Sequence, residues 1–92
     1  MKVYQIDYDL RKQRNYEALY DRIRSYSHRC HPLESTWVIG TDQSAVQIRE
    51  YLKKELDADD GILVTSLSGE AAWHNVRPER TSQYLKQLLE QA

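Results

Sequence analysis

The chain has 92 residues, 40% of them hydrophobic and 29% charged, with a formal net charge of −1. That length holds one core, buries only about two-thirds of the unfolded surface, and leaves a chain that gains from oligomerisation. The near-neutral balance argues against a generic polyanion binder, the single cysteine, Cys30, excludes an intramolecular disulfide framework, and no apolar run is long enough to span a membrane.

Charge is unevenly distributed along the chain. Residues 10–31 carry six cations against Glu17 and Asp21, a balance of +4, whereas residues 41–60 carry three cations against six carboxylates, a balance of −3. One sector is basic and the other acidic. The N-terminus opens directly into a polar-alternating strand rather than a secretory leader, so the expected compartment is cytoplasmic.

Residues 2–9 alternate strictly, with Tyr4, Ile6 and Tyr8 on one face and Val3, Gln5, Asp7 and Asp9 on the other, which predicts a strand. Residues 15–27 change to helical spacing through Tyr16, Leu19, Tyr20, Ile23 and Tyr26, with Asn15 as the expected N-cap. His28 to Leu33 predicts a short edge strand, because Pro32 cannot donate to a ladder, and Ser35 to Thr41 a stronger one. A second helix is expected over about 44–56, capped by Asp42 or Ser44, with Ala45, Ile48, Leu52 and Leu56 on its apolar face. Asp59-Asp60-Gly61 reads as a turn into a fourth strand, Ile62 to Leu67, which Gly69 ends.

That order predicts an α+β fold, a ferredoxin-like βαββαβ sandwich over residues 1–69, with two helices on one face of a four-stranded antiparallel sheet. The other face, carrying Val3 and, depending on register, Val38 with Ile62 or Val64, is expected to be open and covered by a second copy in a homodimer. Residues 70–92 read as an extension: a short strand over Ala71 to Val76, then a helix over Pro78 to Glu90 with a seam of Tyr84, Leu85, Leu88 and Leu89.

For chemistry, Asp7 and Asp9 share one face of the first strand and are followed by Arg11, Lys12 and Arg14. Like-facing side chains two residues apart lie about 6.6 Å from each other, so a shared ion needs ligands from elsewhere, such as a second subunit. Oxygen ligands of this kind suit magnesium or manganese, and a divalent ion beside cations is what phosphoryl transfer requires. The basic run reads either as a phosphate-contacting, nucleic-acid-binding segment or as a set of surface ion pairs. His28, Cys30 and His31 lie close in sequence but lack the spacing of a zinc site. No phosphate-binding glycine loop, zinc-protease or nucleophile-elbow motif is present.

The opening strand ending in Tyr8-Asp9-Leu10, the amphipathic helix after it, Glu34-Ser35-Thr36-Trp37-Val38, and Asp60 ahead of Ile62-Leu63-Val64 together resemble the SinR-like small proteins. These are relatives of the CRISPR-associated adaptation protein numbered two and of the VapD ribonucleases (the label is not that of the helix-turn-helix repressor). The resemblance covers about residues 1–68 and implies a ferredoxin-like homodimer with opposed sheet faces. It also implies a magnesium-ligating aspartate at the end of the first strand, one from each subunit, a position matched here by Asp9. Ser35-Thr36-Trp37 departs from the Ser-Val-Phe-like pattern of those relatives, and a helix stands where they carry a C-terminal strand. The expected function is a nucleic-acid-associated homodimer acting as a metal-dependent phosphodiesterase on DNA or RNA with Asp9 as catalytic ligand; the alternatives are a non-catalytic dimeric scaffold that positions nucleic acid or protein, and a VapD-like RNA-cleaving toxin.

Overall fold

A computed structural model describes residues 1–92. The strands are β1 (Lys2–Asp9), β2 (His28–Leu33), β3 (Thr36–Thr41) and β4 (Gly61–Ser66); the helices are α1 (Glu17–Arg24), α2 (Ala45–Lys53) and α3 (Glu79–Leu89). All pairings are antiparallel and the sheet order is β2-β3-β1-β4, the ferredoxin-like arrangement. No helix is long and apolar enough to cross a membrane.

The alternation in β1 sorts the two faces as expected. Tyr4, Ile6 and Tyr8 join Trp37 and Ile39 of β3 under Leu19 and Ile23 of α1 and Ile48 and Leu52 of α2. Ile62 and Val64 pack against this same core, so the register leaves Val3 and Val38 as the valines of the opposite face. Ser44 caps α2 through a reciprocal capping box with Gln47, satisfying two backbone donors at the helix start. Asn15 does accept from the backbone N–H of Glu17, at 2.8 Å, although the regular helix begins only after Tyr16.

The second face departs from expectation. It is not left for a partner sheet: α3 lies across β2 and β3, and its Leu85, Leu88 and Leu89 bury Val3, Cys30 and Val38. Val3 is 1% and Val38 3% exposed, so the two valines that called for a symmetric cover already have one within the chain. Residues 70–92 therefore complete a second core and are not an appendage. Nor is there a strand over Ala71 to Val76. The segment crosses the face of the sheet to reach α3, so it meets no free edge to pair with, and Asn75 turns it through a left-handed conformation at φ 58°. Along the way Trp73 donates from Nε1 to Ser82 Oγ at 2.9 Å. Gly69, at φ 102°, makes the turn out of β4; a Cβ there would stand 3.3 Å from the Leu89 carbonyl oxygen.

Candidate functional site

Asp7 and Asp9 project from the end of β1 on the α3 side of the sheet, beyond the part that α3 covers. Thr36 and Leu63 flank Asp7 across the ladder, and Gly61 stands beside Asp9. With Arg11, Ser35 and Ile62 these residues line an open concavity of about 430 Å³.

The two carboxylates are not equivalent. Thr36 Oγ1 donates to Asp7 at 2.6 Å and Gln5 Nε2 donates to its other oxygen at 2.9 Å, so Asp7 is fixed within the sheet. Asp9 has a side chain 77% exposed, and its contact is Arg11 Nη2 at 3.3 Å. No group of three or more His, Cys, Asp or Glu side chains converges anywhere in the chain to hold a metal ion. Magnesium commonly keeps several waters and takes only one or two protein carboxylates, the remaining oxygens coming from substrate phosphates.

The three cations proposed for phosphates are engaged by acidic partners. Arg11 meets Asp9, Lys12 meets Asp59 at 3.9 Å, and Arg14 meets Asp57 at 3.0 Å. Arg14 also donates to the Glu55 carbonyl at 2.6 Å and lies over the Tyr16 ring. Farther along, Arg22 pairs with Glu55 at 2.8 Å. The basic and acidic sectors of the sequence are therefore two sides of one seam, formed where the β1–α1 loop and α1 meet α2 and the α2–β4 loop.

Asp60 organises the loop end of that seam. It accepts from the Arg11 backbone N–H at 2.8 Å, the Tyr16 hydroxyl at 2.9 Å and the Asp57 backbone N–H at 2.8 Å. Partial burial opposes its ionisation, yet the N–H donors of Arg11 and Asp57, the Tyr16 hydroxyl and the Arg14 charge bring its carboxyl below the ordinary range. In the sequence Asp60 is visible only as a turn residue; the available signal is its place just before the fourth strand.

His28, Cys30 and His31 do not converge. Cys30 is buried under α3, whereas His28 and His31 are exposed. His31 stacks on Trp37 at 4.0 Å with 10° between the rings, and its Nε2 lies 3.0 Å from the Glu34 carbonyl oxygen. Trp37 itself is core: its Nε1 donates to the Tyr8 hydroxyl at 3.1 Å. Trp73 is the more exposed of the two tryptophans. No protein-family model matches the chain, and no curated protein matches it in sequence.

Proposed function

We propose that the chain is a non-catalytic dimeric scaffold that positions nucleic acid. The observation that carries this reading is the state of the groups a metal-dependent nuclease would need. Asp7 is committed to Thr36 and Gln5, and Asp9 is paired with Arg11 rather than with the second carboxylate. Association with nucleic acid rests on the resemblance and on Arg11, Lys12 and Arg14, whose ion pairs are all substantially exposed. Exposed pairs of this kind contribute only about 0–1 kcal/mol, so a phosphate can displace a carboxylate at little cost.

The metal-dependent phosphodiesterase remains the second reading, supported by the exposure of Asp9 at the mouth of the concavity. It needs oxygen ligands from a second copy or from the substrate. One experiment separates the two: wild type and Asp9→Asn are incubated with DNA and with RNA, with and without magnesium or manganese. The scaffold reading expects salt-sensitive retention of nucleic acid and no cleavage by either protein. Metal-dependent cleavage by wild type that Asp9→Asn abolishes would overturn it, and cleavage confined to RNA would select the toxin-like function.

A further inference from the structure

We infer that the exposed edge of β4 is where two copies of this chain join, in antiparallel strand pairing centred on Val64. The inference rests on the dimeric scaffold reading and supplies its interface. Leu67 N–H donates to the Val3 carbonyl at 2.9 Å and Tyr8 N–H to the Ser35 carbonyl at 3.2 Å, which fixes the alternation along β1. Val3, Gln5, Asp7 and Asp9 direct their backbone groups to β4, and Tyr4, Ile6 and Tyr8 to β3. On β4, Gly61, Leu63 and Thr65 then bond to β1, while Ile62, Val64 and Ser66 turn their N–H and C=O groups outward along an edge that no strand covers.

Natural sheets protect such edges with charge, proline or bulges. The opposite edge is protected in that way: β2 carries Arg29 and Pro32, and its pairing shifts register between Cys30 and Leu33. β4, Gly-Ile-Leu-Val-Thr-Ser, carries neither charge nor proline. Because one edge is protected and the other is not, head-to-tail joining of β4 to β2 is disfavoured and the closed two-fold arrangement is left. With Val64 opposite its own copy, Ile62 faces the partner's Ser66 and Leu63 the partner's Thr65, so no like charges oppose each other.

Pairing six-residue strands alone falls short of the roughly 1,200–2,000 Å² typical of stable interfaces. The remaining area is available on both sides of the edge. Leu63, below it, is 61% exposed. Above it, α2 packs on β4 and turns Tyr51 towards α1, where Arg22 lies over its ring and also pairs with Glu55 just past the helix. Its other flank is Val46, Arg49 and Lys53; Val46 is 56% exposed, and Arg49 and Lys53 line a cleft with Gly61 and Ile62. In this dimer the two β1 strands stand three strand spacings apart, about 14 Å. The two Asp9 carboxylates do not share an ion, in agreement with a scaffold that binds without cleaving.

The test combines sedimentation with amide hydrogen exchange. Wild type is expected to be a dimer at micromolar concentration, with the amides of Ile62, Val64 and Ser66 gaining protection as concentration rises. Leu63→Lys, at an exposed side chain, and Val64→Pro, at an outward N–H, are each expected to lose the dimer; Leu63→Lys should keep the wild-type circular dichroism. A wild-type monomer, a dimer that survives Leu63→Lys, or a dimer whose β4 amides exchange at the monomer rate would each overturn the inference. A dimer through another surface leaves the scaffold reading standing, whereas nuclease activity sinks that reading and leaves the edge pairing untouched.

Discussion

Asp60, just ahead of β4, and Asp9, at the end of β1 across the ladder from Gly61, illustrate how differently two carboxylates can be used. Asp60 takes three donors from two loops, and its folded carboxyl is held below the usual range against the opposing effect of burial. A depressed folded value contributes stability that is present above the unfolded value of about 3.9 and disappears as pH falls through the folded one. Asp60→Asn is therefore expected to lower stability at neutral pH, with the gap from wild type closing in acid; urea unfolding across a pH series measures it. A gap that stays constant with pH would assign the effect to shape rather than charge. Asp9→Asn removes an exposed pair and should change stability by no more than about 0.5 kcal/mol. Cys30 offers a second residue-scale check: burial pushes its thiol up to about 11, opposed weakly by a backbone bond from Val38. The thiolate is the reactive form, so native protein should be alkylated slowly and urea-unfolded protein rapidly. Fast labelling of the folded chain would mean that α3 does not stay closed over it. None of these environments is visible in residue spacing, because each depends on a contact between distant segments.

Among the elements, α3 is the one whose existence is plain in the sequence and whose role is not. The seam of Tyr84, Leu85, Leu88 and Leu89 announces a helix with one apolar stripe, and the observed Glu79–Leu89 matches it closely. Periodicity states which side is apolar but not what it will touch. It could not say that the stripe lies on Val3, Cys30 and Val38 and removes the need for a partner sheet there. β1 was more legible, since a strict two-residue period in a central strand fixes both faces at once. The expected strand over Ala71 to Val76 failed for a topological reason, the lack of a free edge on the segment's path to α3. Leu88→Ala should cost about 2–5 kcal/mol, because the side chain is fully buried and leaves a cavity between helix and sheet. Thermal or urea unfolding measures that loss, and Lys86→Ala on the exposed side of the same helix is its control. A Leu88→Ala protein as stable as the control would show that α3 contributes little to the fold.

For the molecule as a whole, the decisive feature is that its charge asymmetry is consumed internally. The +4 and −3 segments of the sequence close on each other through Lys12–Asp59, Arg14–Asp57 and Arg22–Glu55. Around the β1–α1 loop, Arg11, Lys12 and Arg14 face Asp9, Asp57, Asp59 and Asp60, so the local field gives a polyanion little long-range steering and binding depends on close contact. Phosphate must compete with carboxylates that are already in place. If all three cations change partners, the affinity for duplex DNA should fall with salt by about 0.9 log units per phosphate per log unit of salt, roughly 2.7 in total. Alanine at Arg11, Lys12 and Arg14 together should remove that dependence. The reciprocal variant is more informative, because it adds no cation. Asp59→Asn deletes the competitor of Lys12 and one repelling charge, and is expected to tighten binding while the fold, which draws little from an exposed pair at 3.9 Å, is unchanged. Fluorescence anisotropy titrations at several salt concentrations read both quantities. If Asp59→Asn binds no more tightly than wild type and the triple alanine variant keeps the wild-type salt slope, the seam is purely structural and any nucleic acid is held on another surface.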